Sequence, residues 1–192
     1  MYHGLDRLVL RDVQLASVTT SALVTSFPNI TTLSLLAHWD DADDPSWSII
    51  RSNNRKGCST TSWSHLHRVR GTALDIFALG IPHPVTCLSI VDLTTPSIPL
   101  FHEVLRSLRP VNLSLDIRLQ YFSDIQLASA IPVDLSRAMQ LRYLTLSLDM
   151  SSGPFMAQPR KLMVHLIASD YTPTAHVLYP RTLCLRFYTG SL

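Results

Sequence analysis

Ile30-Thr31-Thr32-Leu33-Ser34-Leu35 is the stretch that decides how this chain is read. In an extended backbone, residues two apart face the same side, so Leu33 and Leu35 turn into a core while Ser34 turns outward. The same apolar-x-apolar unit recurs as Leu8-Val9-Leu10, Leu88-Ser89-Ile90, Leu113-Ser114-Leu115, Leu144-Thr145-Leu146 and Leu183-Cys184-Leu185. Four of these six copies carry a further aliphatic residue three positions ahead, at Leu5, Ile30, Val85 and Leu141. Stacked copies of such a unit form a parallel sheet, because one strand cannot bury its apolar side alone.

The intervals between successive copies are 25, 55, 25, 31 and 39 residues. The 55-residue gap has room for a degenerate copy, and Leu66-His67-Arg68-Val69 keeps the first half of the pattern before it breaks at Gly71. Between strands the apolar spacing changes from two to the helical three or four. Leu15, Val18, Ala22, Leu23 and Phe27 share one helical face ahead of Pro28-Asn29, and Ile98, Phe101, Val104, Leu105 and Leu108 share another ahead of Pro110. Leu135 to Met139 and Leu162 to Ile167 read as shorter versions of the same element. Residues 40 to 64 read instead as an inserted loop, with Asp40-Asp41-Ala42-Asp43-Asp44-Pro45 followed by Arg51-Ser52-Asn53-Asn54-Arg55-Lys56-Gly57, rich in charge and turn formers. The acidic tip is either a partner-binding feature or a solvated spacer.

The expected fold is therefore α/β: an irregular leucine-rich-repeat-like solenoid over residues 1–192, with parallel strands on its concave side and helices on its convex side. Composition suits one packed domain, since 46% of the residues are hydrophobic and 16% charged, against roughly 25% charged in an ordinary globular domain. Sixteen basic and 14 acidic residues are interspersed, which leaves no broad basic face and disfavours nucleic acid as a partner. Cys58, Cys87 and Cys184 are odd in number and far apart, which suggests neither a disulfide framework nor a thiolate metal site and fits a reducing compartment. No secretory leader opens the chain, and no aliphatic run approaches the roughly 20 residues of a spanning helix. An intracellular protein, cytoplasmic or nuclear and without a membrane partner, is expected.

The L-x-x-L-x-L strands, the segment Phe27-Pro28-Asn29-Ile30-Thr31-Thr32-Leu33-Ser34-Leu35 and the Ser107-Leu108-Arg109-Pro110 helix ending resemble the leucine-rich-repeat region of fungal F-box proteins. Trp63-x-x-Leu66 through Leu74-Asp75-Ile76-Phe77-Ala78-Leu79-Gly80-Ile81-Pro82 resembles it too. The resemblance implies a protein-protein interaction module, the substrate-recognition part of a cullin-type ubiquitin ligase. A Skp1-type adaptor is implied as a partner only if an F-box lies upstream. The first strand begins near Leu5, so no F-box is seen ahead of it, and the usual Asn or Cys three residues past the second strand leucine is replaced by Val13, His38, Leu93, Arg118, Asp149 and Tyr188. Neither end carries a polar capping unit of the kind stacked repeats need. Apolar core exposed at the ends, and a recognition fragment or plain scaffold as the alternative to a ligase component, are therefore expected.

A search for chemistry returns no catalytic, cofactor or metal site. His102-Glu103-Val104-Leu105-Arg106 begins like a zinc-protease helix but has Arg where the second histidine ligand belongs. His65 and His67 have no Cys, Asp or Glu close by to complete a metal site and read as a surface pair. Phosphate-cradling glycine loops are absent. Trp39, Trp47 and Trp63 flank the inserted segment, either as exposed anchors or packed against the sheet. A non-enzymatic chain without cofactors is expected. The candidate contact surface is the outward side of the strands, where Arg7, Arg11, Ser34, Ser89, Asp116, Tyr143, Ser147 and Arg186 are the residues expected to meet a protein partner.

Overall fold

A computed structural model of the chain describes residues 4–13, 19–36, 46–58, 63–118, 140–149 and 182–188, the last of these as backbone only. Seven strands form one all-parallel sheet in strict sequence order: β1 (Arg7–Arg11), β2 (Thr32–Leu36), β3 (Arg68–Gly71), β4 (Cys87–Leu93), β5 (Asn112–Arg118), β6 (Tyr143–Asp149) and β7 (Thr182–Tyr188). Among the described residues four α-helices accompany them: α1 (Thr20–Ser26), α2 (Ser46–Gly57), α3 (Ala73–Leu79) and α4 (Ile98–Leu108). The molecule is thus α/β.

Strand register follows the repeated leucines. Leu8 pairs with Leu33, Leu33 with Val69, Val69 with Leu88, Leu88 with Leu113, Leu113 with Leu144 and Leu144 with Leu183. The 55-residue gap therefore does hold a strand, and β3 starts at Arg68 and runs through Gly71 instead of breaking there. Gly71 stands where the other strands have their second apolar residue, and a Cβ on it would lie 3.0 Å from the Leu35 Cβ and 3.3 Å from the Leu35 carbonyl oxygen. The missing side chain lets β3 lie close to β2.

The start of each strand also repeats. Thr31 and Thr32 both donate their N–H groups to the Asp6 carbonyl, His67 and Arg68 to that of Thr31, Val111 and Asn112 to that of Thr86, and Arg142 and Tyr143 to that of Val111. Cys87 donates its N–H to the carbonyl of His67. Each accepting carbonyl belongs to the residue before a strand, so β2 to β6 are each seated on the residue that launched the strand before. The aliphatic residue three positions ahead of the first strand leucine sits beneath this step. Ile30 is fully buried, and Leu66, Val85 and Leu141 are 3–5% exposed. At the first strand the cover thins: Leu5 is 36% exposed and Leu8 8%, against 0% for Leu33.

Inward strand residues and the buried faces of the helices make one core cluster running from Leu8 to Leu148. In α4 the expected stripe of Phe101, Val104, Leu105 and Leu108 is buried, while Ile98 is partly so. A 3-10 turn (Thr95–Ser97) leads into it, with the Ser97 hydroxyl accepting from the Thr94 N–H and donating to the Thr94 carbonyl. Arg109, at φ 42°, closes the helix ahead of Pro110. In α3 the Thr72 hydroxyl accepts from the Asp75 N–H and the Asp75 carboxylate accepts from the Thr72 N–H, a reciprocal capping box. Its end is Gly80 at φ 63°, where a Cβ would meet the Arg51 carbonyl oxygen at 3.0 Å. Glycine is required there twice over, by the left-handed backbone and by the close approach of α2.

Two expectations need correction. The helix after β1 buries Thr20, Leu23 and Val24, whereas Ala22 is exposed; Leu15 and Val18 lie outside the described residues. The segment expected as an inserted loop contains α2, a 12-residue helix. Its buried positions are Trp47, half-buried Ile50, Asn54 and, just past its end, Cys58, at spacings of three, four and four. The stripe escapes a hydropathy reading because its centre is a polar residue. Asn54 is 4% exposed; its Oδ1 accepts from the Thr20 N–H at 3.0 Å, and its Nδ2 donates to the Ala78 carbonyl at 2.8 Å. Thr20 in turn donates its hydroxyl to the Leu79 carbonyl at 2.7 Å. One side chain thereby satisfies an orphan N–H of the first turn of α1 and an orphan carbonyl of the last turn of α3.

Trp47 and Trp63 are buried, which places both in packing, and the Trp63 indole N–H donates to the carbonyl of Phe27, the C-cap residue of α1. Trp39 and the acidic residues 40–44 lie outside the described residues, as do the shorter helices expected at 135–139 and 162–167. Among the described residues no helix is long and apolar enough to cross a membrane.

Candidate functional site

With leucines pointing into the core, the alternate residues line the opposite side of the sheet, and the register gathers them into rows. One row reads Arg7, Thr32, Arg68, Cys87, Asn112, Tyr143 and Thr182; the next reads Val9, Ser34, Arg70, Ser89, Ser114, Thr145 and Cys184. A third brings Asp116, Ser147 and Arg186 side by side on β5 to β7, while Arg11 pairs with Leu36 at the other end. Between them the register shifts after Ile90, and Asp92 takes φ 52°. The equivalent Asp12 takes φ 50°. Aspartate is among the few residues that enter this region readily.

Arg7, Arg11, Ser34, Ser89, Asp116, Tyr143 and Ser147 occupy outward positions and Arg186 is in register with Ser147, although they do not form one pocket. Arg7 and Arg11 lie on β1, about 29 Å across the sheet from Arg186 at ordinary strand spacing. Arg7, Arg11 and Asp116 are exposed, and Tyr143 is 49% exposed. Ser89 is half-buried. Ser34 and Ser147 are each only 7% exposed and offer little contact area. Apart from Val9 and Arg70, small residues down the middle of the strip leave room for another main chain to come close.

Sequence reasoning missed two residues of this face. Arg68 and Arg70 are exposed on β3, between Thr32 and Cys87 in one row and between Ser34 and Ser89 in the next. The signal was present: once Gly71 is accepted as an apolar position, the alternation around Val69 puts both arginines outward. At the C-terminal ends of β4 and β5, the Arg118 guanidinium holds both carboxylate oxygens of Asp92, at 2.8 and 3.0 Å. Asn112 donates its amide to the Cys87 sulfur at 3.3 Å.

The helical side holds a second polar cluster. Arg51 and Arg55 of α2 both donate to the Ser107 hydroxyl, at 2.9 and 2.8 Å. Arg51 also lies 4.2 Å over the Phe77 ring and 3.6 Å from Glu103, which in turn pairs with Arg106. Burial lowers the affinity of the Arg51 guanidinium for its proton, as do Arg55 and Arg106, whereas Glu103 raises it. The cleft lined here by Arg51, Phe77, Gly80 and Ser107 has ≈ 10 Å³ of space, about the room one water needs. This cluster ties α2 to α4 across α3, and Glu103 of the zinc-protease-like sequence is engaged in it. His65 and His67 are exposed, and among the described residues no three His, Cys, Asp or Glu side chains converge on a metal-sized site.

No protein-family model, curated protein or solved structure matches the chain.

Proposed function

We propose that the chain is an irregular leucine-rich-repeat-like solenoid whose outward sheet face captures a protein partner, as the substrate-recognition repeats of an F-box protein do. One observation carries this reading: seven parallel strands in sequence order bring their outward residues into continuous rows, with Arg7, Val9, Arg68, Arg70, Asp116 and Tyr143 exposed on them. Sequential stacking of strand-and-helix units is how repeat proteins build extended binding surfaces. The reading assigns the chain no catalytic step and no cofactor. Cys58 and Cys87 are free thiols, which suits a protein working inside the cell.

The test is site-specific photo-crosslinking in a host cell, with the crosslinker placed at Tyr143 or Ser89 on the face and at Ser52 on the exposed side of α2. The same protein should be captured from both face positions, not from Ser52, and lost when Ser114 is changed to Trp. Equal capture from Ser52, or capture indifferent to Ser114→Trp, would sink the reading. Binding of the purified chain to a Skp1-type adaptor separates a ligase component from the alternative, a repeat scaffold or fragment with no ligase role.

A further inference from the structure

The outward face is not electrically uniform. On β1 to β3 it carries Arg7, Arg11, Arg68 and Arg70, all exposed, with no acidic residue at any outward strand position of those three strands. Among the described residues none of these four makes an ion pair, whereas Arg51, Arg106 and Arg118 all do. Asp6 and Asp12 bracket β1 but lie outside the strand. Beyond β4 the face carries Asp116 and Arg118, the latter held by Asp92, while Arg186 on β7 stands in register with Ser147.

We infer that the β1–β3 half of this face binds an extended acidic segment of the partner protein, with carboxylates on alternate residues. The inference rests on the reading that the face captures a protein, and it names the chemistry of what is captured. Arg68 and Arg70 are two residues apart on one strand, about 6.7 Å, which is also the spacing of alternate side chains along an extended peptide. Arg7 lies two strand spacings from Arg68, about 9.6 Å, so a straight ligand lying over β2 has arginines about 4.8 Å to either side. Ser34 and Ser89 flank Arg70 and let a peptide backbone come close. Val9, 39% exposed between Arg7 and Arg11, supplies apolar contact within the same patch. Four guanidiniums on one face repel one another, and an acidic ligand relieves that repulsion while arginine offers its paired donors to each carboxylate. The polarity of the face favours a peptide over a nucleic acid, whose uniform negative charge would meet Asp116 as it ran on across the sheet.

The experiment is fluorescence anisotropy on the full chain with three labelled probes: an eight-residue peptide alternating Ser and Glu, its Ser/Lys counterpart, and an eight-nucleotide oligothymidylate. The Glu peptide should bind best. Its affinity should fall at least tenfold in Arg68→Glu/Arg70→Glu and fall with added salt, while Arg68→Lys/Arg70→Lys retains most of it. Thermal melting checks that the charge-reversed chain is folded, and Arg7→Glu/Arg11→Glu gives an independent reversal if it is not. Glu-peptide binding that ignores both reversals, or tighter binding of the oligonucleotide, overturns the inference. Equal binding of the Glu and Lys peptides, both lost in Ser114→Trp, overturns it while leaving the face as a protein-binding surface. A crosslinked partner that ignores Ser114→Trp removes the face itself.

Discussion

The step from β4 to β5 and the step from β2 to β3 reach the same sheet geometry by different chemistry. Between β4 and β5 the connecting helix α4 presses Phe101, Val104, Leu105 and Leu108 into the core, each 1–3% exposed. Between β2 and β3 the helix α2 buries only Trp47 and Asn54, and much of its docking is polar: Asn54 to α1 and α3, Arg51 and Arg55 to Ser107 of α4. The first kind of step tolerates any well-shaped apolar residue. The second depends on particular donors and acceptors, because a buried polar group that loses its partner costs more than the bond was worth.

That contrast can be broken by mutation. Phe101→Ala should have the largest effect, about 4 kcal/mol lost in urea unfolding, since it removes a fully buried ring. Asn54→Ala should follow at about 3 kcal/mol, from two backbone groups left without partners in the interior. Asn54→Leu sharpens the point. If polar pairing is what matters, the added apolar bulk will not restore stability; recovery to within about 1 kcal/mol of the parent would show that α2 is held by packing after all. Gly71→Ala should cost about 1 kcal/mol, because Leu35 must shift to admit the methyl group. Arg118→Ala should sit at the bottom, below about 0.5 kcal/mol, because its pair with Asp92 is 44% and 41% exposed.

Thiol chemistry probes the same two regions. Cys58, at the end of α2, is 4% exposed, and burial pushes its thiol pKa up. Less thiolate forms in the folded state than in the unfolded chain, so near pH 8 Cys58 should react with maleimide only as fast as the protein unfolds. Cys87 is half-buried on the open face. In a Cys184→Ser background it should label first, and mass spectrometry of the peptides reads the order.

Where sequence and structure agree, the residues concerned carry apolar side chains at fixed spacing. The leucines of β1, β2, β4, β5, β6 and β7, the anchors Ile30, Val85 and Leu141 and the stripe of α4 were all readable for that reason. The strand β3 was legible only in its first half, and the helix α2 was missed, because each replaces an informative apolar residue, by Gly71 in one and Asn54 in the other. Both substitutions make sense only through a partner distant in sequence, Leu35 for Gly71, Thr20 and Ala78 for Asn54. The outward face was legible wherever its flanking leucines were, and the loss of Arg68 and Arg70 from that reading followed directly from the misreading of Gly71.

The seating of β2 to β6, each on its immediate predecessor, also bears on how the chain tolerates change. Leucines paired across the sheet, with Val69 standing for one of them, lie 25, 36, 19, 25, 31 and 39 positions apart, yet these residues stay opposite one another from β1 to β7. Doubling a connecting loop costs only about 0.6 kcal/mol of closure entropy. Insertions between strands therefore cost this architecture little, so long as the residue that launches each strand keeps its carbonyl in reach of the next. New segments can accumulate at the strand ends over evolutionary time, reshaping the rim of the face without disturbing the rows that compose it.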